Sequence, residues 1–583
     1  MNATQNTTSR RWTTRSRPPL ALTTTLAVLV ACALAVSGFL GSPSRGDVTS
    51  VIVQGRDMAA AAAAVRAGGG VVTHELGVID AVGARVPHGR LEGLRRAAGI
   101  RRVYGDAPVA TAGCGVVAWA SPVPNDKKLE WELTNHSMST VTVSRIEVQW
   151  PWEHGGLKKA EFAKKKLIEH DPAPAPSVVL EAAGLEDIPF LESGETGMLK
   201  LEFEEKSEAP LSKYSVRVEF AEGCEVEAAG DDEGREANYP AQVGVDQLHE
   251  LGIDGEGVTI AILDTGYWSH GQLKRGRHGQ DRVLAAYDAI KDKKDAKDEN
   301  GHGTHIASIV VASDKRTDKK KEGNERFAGI APSAALVVVR AFDEDGAGTY
   351  SDVIRGIDWI VQHREEYGIR VLNASFSAPV RSPYWDDPIN LAVMRAWEAG
   401  IVVVTSAGNT GPDPMSVGVP GNLPYVITVG AITDNYTPAD AGDDRVASFS
   451  AAGPTYEGFV KPDVVAPGGH IIGIMEAKSR IAKQHPRFAS PYKELFMMSG
   501  TSQSTAVVSG IAALMLQADP SLAPDDVKCG LMATARPAAA PDGTTPNSVF
   551  QQGAGLVNAH NALAGGHVWC SNCGQDHALD RAW

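Results

Sequence analysis

The segment "GVTIAILDTG" (257–266) indicates the fold of the C-terminal half of the chain. Its apolar and β-branched residues follow one another without alternating polar positions, which is typical of a strand buried on both faces of a sheet. Similar runs recur downstream, each followed by a turn or a helical stretch: "AALVVVRAF" (334–342), "IVVVTSAGN" (401–409) and "YVITVGAI" (425–432). This alternation predicts an α/β domain at 243–565, with a mostly parallel central sheet flanked by helices.

A smaller unit is predicted at residues 48–110. Its apolar runs and helical stretches follow the order β-α-β-β-α-β, starting with the strand "VTSVIVQG" (48–55). The second helix falls on "HGRLEGLRRAAG" (88–99), and "IRRVYGDAPV" (100–109) closes the unit as a strand. We therefore expect a ferredoxin-like α+β unit, a fold that by itself implies no chemistry.

Between these two units, residues 112–228 alternate apolar and polar positions in short runs such as "KLEWELTN" (128–135). Turn residues separate the runs, so the pattern predicts a β-sandwich module. Helical periodicity is found only around "KKAEFAKKKLIE" (158–169). A polar linker at 229–242 and a tail at 566–583 complete the predicted organisation.

The composition restricts the class of partner. Of the 583 residues, 43% are hydrophobic and 22% are charged, which is ordinary for a soluble globular protein. The formal net charge of −15 argues against general affinity for nucleic acid or for an anionic membrane. A lysine-rich stretch at 314–326 is interrupted by acidic residues, so a solvated loop is the better interpretation.

Residues 1–47 have the character of a targeting segment. Four arginines precede the apolar run "LALTTTLAVLVACALAVSGFLG" (20–41), which is typical of a secretory signal peptide. The run is also long enough for an uncleaved membrane anchor, and "LVAC" (29–32) resembles a lipoprotein cleavage box, so a lipid anchor is a further alternative. We expect a secreted, extracellular protein that is free or anchored at its N-terminus.

Export makes disulfide bonds permissible. Cys114 and Cys224 bracket the predicted module and could close it covalently. Cys529 could pair with Cys570 or Cys573, which would leave one thiol over. The "CSNC" motif formed by the last two cysteines is only half of a four-cysteine zinc site, and no metal ligand is assigned from the sequence.

Reactive residue types fall at strand ends and helix starts of the α/β domain, where the active sites of parallel sheets lie. Asp264 ends a strand, His302 opens a helix, Asn409 ends a strand and Ser502 opens the last long helix. A serine hydroxyl needs a histidine to accept its proton, and a carboxylate fixes the tautomer of that histidine. A side-chain amide can donate to the oxyanion that forms on attack.

Each residue also has a structural alternative. Ser502 could be an N-cap, Asp264 could cap a turn, and Asn409 could be an ordinary turn residue. His302 and His305 are three positions apart, but no H-E-x-x-H pattern accompanies them. The specific observation is that all four reactive types occur in one domain in the order Asp, His, Asn, Ser.

The motifs "AILDTG" (261–266), "NGHGTHIAS" (300–308), "SAGN" (406–409) and "SGTSQSTA" (499–506) resemble those of the subtilisin-like serine proteases. The resemblance covers about residues 236–565. It implies that Ser502 is the nucleophile, His302 the base, Asp264 the orienting acid and Asn409 the oxyanion donor. It also implies that residues 48–110 are an inhibitory propeptide, so that the chain is made as a zymogen.

The resemblance extends to substrate-binding residues. The segment "LNASFSAP" (372–379) resembles the strand that binds the substrate backbone, and "VGVPG" (417–421) resembles a pocket floor. The implied substrate-binding residues are Ser375, Phe376, Ser377, Gly408 and Gly418. Two family glycines are replaced by Ser377 and Ala378, so we expect a narrowed pocket that takes a modest apolar residue before the cleaved bond. The family methionine after the nucleophile is replaced by Gln503, and we expect activity to survive.

The implied activity is that of a serine endopeptidase acting on protein or peptide substrates without a required cofactor. Structural calcium is possible, because family members often bind it and because "YDAIKDKKDAKDENG" (287–301) offers several carboxylates. The alternative is a catalytically silent binding protein with the same fold, in which the β-module recognises a partner.

Overall fold

A computed structural model gives the structure of most of the chain. It describes residues 48–111, 116–118, 123–125, 127–135, 140–168, 177–182, 185, 187–192, 195–207, 214–221, 225–229, 239–313, 328–434, 444–489, 494–537, 547–564 and 572. The predicted targeting segment (1–47), the lysine-rich stretch and most of the linker (229–242) lie outside these residues.

An eight-stranded sheet forms the centre of the C-terminal domain, in the order β18-β19-β17-β21-β23-β24-β25 with β26 paired to β24. Only the β24–β25 pair is antiparallel. The first strand, β17, has all six residues buried, as expected for a strand covered on both faces. The strands of this domain are β17 (Thr259–Asp264), β18 (Val283–Asp288), β19 (Ala335–Arg340), β20 (Ala347–Thr349), β21 (Ile369–Ala374), β22 (Phe376–Ser377), β23 (Val402–Ser406), β24 (Ile427–Thr433), β25 (Arg445–Val446), β26 (Val464–Pro467), β27 (Ile471–Ile474) and β28 (Leu495–Met498).

Helices cover the sheet, and one large apolar cluster joins strands and helices. The domain is therefore α/β with a central sheet, as predicted. Its helices are α3 (Tyr239–Gln242), α4 (Val245–Glu250), α5 (Gly271–Lys274), α6 (His302–Val311), α7 (Tyr350–Gln362), α8 (Arg364–Tyr367), α9 (Pro388–Glu398), α10 (Arg480–Gln484), α11 (Thr501–Ala518), α12 (Pro524–Thr534), α13 (Val549–Gln552) and α14 (Ala559–Ala564).

The N-terminal unit is a four-stranded antiparallel sheet in the order β2-β3-β1-β4 with helices against one face. Its elements are β1 (Val48–Gly55), α1 (Met58–Ala67), β2 (Val71–Leu76), β3 (Ala81–Pro87), α2 (Leu91–Arg95) and β4 (Ile100–Gly105). Strand β1 alternates: Val51 and Val53 enter the core of the unit itself, whereas Ile52 joins the core of the α/β domain. The second face of this sheet therefore packs on the α/β domain.

The expected closing strand of that unit (100–109) is divided in the structure. Strand β4 ends at Gly105, and a separate strand β5 (Pro108–Thr111) pairs with β20 on one side and β22 on the other. The Asp106 carboxylate between the two strands accepts a hydrogen bond from the Ser351 backbone N–H at the start of α7. The chain thus leaves its own sheet at Asp106 and crosses to the α/β domain.

Two antiparallel sheets with a shared apolar core lie between the two units in sequence. One has the order β11-β10-β14-β8-β6 with β7 on β8, and the other β12-β9-β15-β16 with β13 on β9. Their strands are β6 (Val116–Ala118), β7 (Val123–Asn125), β8 (Lys128–Asn135), β9 (Val141–Gln149), β10 (Leu157–Phe162), β11 (Lys165–Ile168), β12 (Ser177–Glu181), β13 (Phe190–Leu191), β14 (Thr196–Phe203), β15 (Ser215–Phe220) and β16 (Glu225–Ala229).

The helical periodicity noted at 158–169 does not correspond to a helix in the described part of that stretch, 158–168. These residues form the β10–β11 hairpin, with Phe162 paired to Lys165. The two residues between the strands, Ala163 and Lys164, have φ values of 49° and 66°. Two successive left-handed residues make the tight turn whose twist matches a hairpin, and that long-range sheet context outweighs the helix propensity of alanine and lysine.

Two further expectations concern cysteines and membranes. Cys529 is a free, half-buried thiol among the described residues, whereas Cys570 and Cys573, with which it could pair, lie outside them, as do Cys114 and Cys224. Among the residues that the structure describes, no helix combines the length and the apolar character needed to cross a membrane.

Candidate active site

The end of β17 brings Asp264 against His302 at the start of α6. Asp264 Oδ1 lies 2.7 Å from His302 Nδ1, and both side chains are buried. A carboxylate can only accept here, so the proton of the imidazole is on Nδ1 and Nε2 is the free acceptor. Nε2 is buried and has no hydrogen-bond partner among the described residues. The pair is therefore arranged to accept a proton at Nε2.

The turn that carries His302 is held by Asp298. One oxygen of this carboxylate accepts from the backbone N–H of Gly301 at 2.8 Å, and the other accepts from the Thr304 N–H at 2.8 Å. The Thr265 hydroxyl, directly after Asp264, also donates to Asp298 at 2.9 Å. Asp298 thus couples the end of β17 to the start of α6 and fixes the distance between acid and imidazole.

The pKa of His302 is raised above its ordinary value of 6.5. Burial is the largest single influence and lowers the pKa, but the charge of Asp264 and its hydrogen bond, assisted by Asp298, outweigh that effect. Asp264 therefore stabilises the imidazolium that forms when His302 accepts a proton.

Ser502 is the second residue of α11 and is fully buried. Its hydroxyl donates to the Ser375 carbonyl at 3.2 Å, at the edge of strand β22. The other serines of the segment have structural roles: Ser504 donates to the Ala466 carbonyl and Ser509 donates to Asn373 Oδ1. The Ser499 hydroxyl accepts from the His470 backbone N–H at 2.9 Å. Ser502 is thus the serine that lies beside the substrate-binding strand expected from the sequence.

Asn409 is oriented by a residue that sequence reasoning did not single out, Thr501. Asn409 Oδ1 accepts from the Thr501 backbone N–H at 2.9 Å and from the Thr501 hydroxyl at 2.8 Å. With Oδ1 occupied, Nδ2 is a buried donor without a partner among the described residues. An unpaired buried donor costs stability unless a ligand or water completes it. The amide can donate to a negative oxygen next to Ser502.

The five expected substrate-binding residues also converge. Ser375 and Phe376 are buried, and Ser377 is half-buried in β22. A Cβ added to Gly418 would lie 2.2 Å from the Ser377 hydroxyl, and one added to Gly408 would lie 3.1 Å from it. The Ser377 hydroxyl therefore lies close to both glycines, and the narrowed pocket stays a prediction.

Two other polar residues of the site motifs are buried with different roles. His305 Nε2 lies 3.0 Å from the Phe496 carbonyl, and burial lowers its pKa to about 3. This imidazole is a neutral structural residue and not a metal ligand beside His302. Gln503, which follows the nucleophile, is 1% exposed, and its Nε2 lacks a partner among the described residues.

The carboxylates of 287–301 do not converge on a cation site. Asp292 accepts from the Tyr287 hydroxyl, Asp295 pairs with Lys293, and Asp298 braces the histidine turn. These three carboxylates have partners within the protein, and structural calcium in this loop stays a prediction. Within the described ranges, the group of side chains that could hold a metal is a different one, at Asp254, Glu256 and His278.

Comparisons with known proteins identify the family of the chain. Residues 255–555 match the Subtilase family, a peptidase family. The chain is 39% identical to the serine protease AprX of Bacillus subtilis over 326 residues, which cover 54% of this chain and 67% of AprX. It is 31% identical to subtilisin DY of Bacillus licheniformis over 320 residues, which cover 54% of this chain and 94% of that protein. The chain therefore belongs to the subtilase family and is a subtilisin-like serine endopeptidase.

Proposed function

We propose that Ser502, His302, Asp264 and Asn409 carry out the peptide-bond hydrolysis of this endopeptidase. The Ser502 hydroxyl attacks the substrate carbonyl while its proton passes to His302 Nε2. Asp264 stabilises the imidazolium, and Asn409 Nδ2 donates to the oxyanion. The protonated His302 then releases the proton to the leaving amine, and water hydrolyses the acyl-enzyme by the same path in reverse.

The observation that carries this proposal is a pair of complementary groups on His302 and Asn409 that lack partners. His302 Nε2 is an acceptor and Asn409 Nδ2 is a donor, and both are buried without hydrogen-bond partners among the described residues. The reaction requires one of each: an acceptor for the serine proton and a donor for the oxyanion. In the structure the Ser502 hydroxyl donates to Ser375, so it exchanges that bond for His302 Nε2 before attack.

We further propose that the N-terminal unit, with boundaries at about 48–110, is a propeptide that inhibits the enzyme. Strand β5 of this segment lies between β20 and β22, with Ala110 opposite both Ala347 and Ser377. Backbone pairing on both sides is how an extended peptide binds a sheet edge. The segment therefore occupies the groove in which a substrate would lie, and the protein in this form is a zymogen.

The register of β5 indicates where this zymogen is cleaved. Thr111 lies opposite Phe376, and Ser375, the neighbour of Phe376, accepts the hydrogen bond of Ser502. In an antiparallel pair the next residue of one strand lies opposite the previous residue of the other. We therefore expect cleavage close to Thr111, the last residue of this register, which leaves the β-sandwich module (112–228) attached to the peptidase.

The narrowed pocket supports a preference for small or modest apolar residues before the cleaved bond. The Ser377 hydroxyl lies where the pocket wall meets Gly408 and Gly418. The residues at the expected cleavage site, "TAGC" (111–114), have small side chains that such a pocket would accept. Cleavage profiling with a peptide library tests this preference, and a strong preference for arginine or lysine would contradict it.

The arginines and the apolar run of residues 1–47 support export, with the mature enzyme secreted or held at the outer surface by an N-terminal anchor. Disulfide bonds among the cysteines outside the described residues are compatible with that location.

Ser502→Ala tests the function. The variant should lose casein hydrolysis by at least about 10⁴-fold, because the nucleophile is removed while the binding groove remains. It should also stay unprocessed, so N-terminal sequencing of the wild-type and variant proteins should differ, with the wild type starting close to Thr111. Ser504→Ala is the matched control and should retain activity. A wild-type protein that neither cleaves casein nor reacts with a fluorophosphonate would instead favour the catalytically silent binding protein.

A further inference from the structure

A turn before β17 and a loop after α5 bring three metal-ligating side chains together on the surface. Asp254 and Glu256 lie in the turn, and His278 lies in the loop. One ligand atom from each lies within 4.8 Å of the others. Asp254 and Glu256 each offer a carboxylate, and His278 offers an imidazole. The histidine comes from a part of the chain about twenty residues after the two carboxylates.

Asp254 has an unused ligand atom. The residue is 4% exposed, and its Oδ2 accepts from the Ser333 hydroxyl at 2.7 Å. His278 Nε2 is 3.5 Å from the same oxygen. Asp254 Oδ1 is buried and has no hydrogen-bond partner among the described residues. A buried carboxylate oxygen without a donor costs free energy unless a cation or another donor completes it.

The nearest buried cation does not complete it. The Arg282 guanidinium acts electrostatically on Asp254, but its hydrogen bonds go to the carbonyls of Arg275, Val311 and Pro332. Arg282 thus holds the loop in place without a hydrogen bond to Asp254 Oδ1. The unused oxygen belongs to the carboxylate whose other oxygen lies 3.5 Å from His278 Nε2.

Backbone geometry keeps the two other ligands close to Asp254. Gly255 and Gly257 have φ values of 90° and 80°, which place Glu256 at the tip of a tight turn. The Arg277 N–H donates to the Pro332 carbonyl, and Pro332 precedes Ser333, the partner of Asp254. The loop and the turn are therefore anchored to the same short segment.

We propose that Asp254, Glu256 and His278 bind a divalent first-row transition metal ion such as Zn²⁺. An imidazole with two carboxylates suits such an ion better than calcium or magnesium, which prefer oxygen ligands alone. Three protein ligands and water complete a four-coordinate zinc site, and the carboxylate of Asp254 is already desolvated. The ion ties the entry of β17, the strand that ends on Asp264, to the loop after α5, so its role is to stabilise the domain.

The full-length Ser502→Ala protein, which should have no peptidase activity, is used for the test. It is stripped of metal with a chelator and titrated with ZnCl₂ in a calorimeter, so the measurement does not depend on activity. We expect one site per chain and a higher melting temperature with zinc. His278→Ala should abolish both effects and Glu256→Gln should weaken them, while the metal-free melting temperature of His278→Ala stays unchanged because that side chain is 60% exposed. His88→Ala is the matched control, since it removes another exposed histidine.

The tail cysteines provide the competing explanation for any zinc that binds. In the same titration, Cys570→Ser/Cys573→Ser should bind zinc as the parent does, and Co²⁺ substitution should give no thiolate charge-transfer band. The proposal would be overturned by any of three results: zinc binding that survives His278→Ala, zinc binding that is lost in the cysteine variant, or no zinc binding by the parent protein. Stabilisation by calcium with none by zinc would also overturn it.

Discussion

At the scale of single residues, the site depends on how Asn409 is held. Thr501 donates twice to Asn409 Oδ1 and so determines which end of the amide is free. A freely rotating amide would lose part of its effect, because an oxyanion donor works best when it is oriented before charge develops. Thr501 is thus a positioning residue for Asn409.

Asn409→Ala should lower kcat by about 10²–10³-fold with little change in KM, because the lost donor acts on the oxyanion and not on the bound substrate. Steady-state kinetics of the processed enzyme on a chromogenic peptide measure this. Thr410→Ala, at the exposed neighbouring position, is the control and should leave both constants unchanged. A rise in KM at constant kcat in Asn409→Ala would contradict the assigned role.

The raised pKa of His302 predicts how activity depends on pH. Only the neutral imidazole accepts the serine proton, so kcat/KM should fall as the pH decreases through an inflection above 6.5. Asp264→Asn removes the charge that raises the pKa, so the inflection should move to lower pH, and kcat should drop by about 10⁴-fold. The pH profile of kcat/KM for both proteins provides the check. An unmoved inflection in the variant would assign the titration to another group.

At the scale of elements, strand β5 joins two parts of the molecule. Its residues pair with β20 and β22, and Val109 is 2% exposed within the core of the α/β domain. Burying a valine side chain contributes about 1.5–3 kcal/mol. The strand is therefore held by side-chain burial as well as by backbone pairing.

Val109→Asp should weaken the inhibitory contact, because an unpaired carboxylate would have to leave water. After processing, we expect the Val109→Asp enzyme to become active sooner than the wild type. The measurement is the lag before peptide hydrolysis becomes linear. Val48→Asp is the matched control, since Val48 is 59% exposed in the same unit. An equal lag in the wild type and Val109→Asp would mean that β5 does not limit activation.

At the scale of the whole molecule, the two-sheet unit has an apolar core of its own. Leu133 belongs to that core and Ile262 to the core of the α/β domain. Among the described residues, the two clusters share no side chain. The unit is therefore expected to unfold independently of the peptidase.

Calorimetry of the Ser502→Ala protein should show separate transitions for the two cores. Leu133→Ala should lower one transition and Ile262→Ala the other, each with a loss of about 2–5 kcal/mol from the cavity that is left. The two substitutions act as controls for each other. A single transition lowered by both variants would show that the two cores unfold together.

The sequence by itself determined the elements and the reactive residues of the α/β domain. The spacing of apolar residues is a local property of the sequence, so the run that forms β17 indicates a strand covered on both faces. For the same reason, the ends of strands and helices can be located, and with them Asp264, His302, Asn409 and Ser502. Tertiary structure alone decided three features: the hairpin at 158–169, the position of β5 in the groove, and the grouping of Asp254 with His278. Each depends on contacts between segments that are distant in sequence or on backbone angles set by a neighbouring strand. No local pattern encodes such contacts, because their energy exists only once both partners have folded.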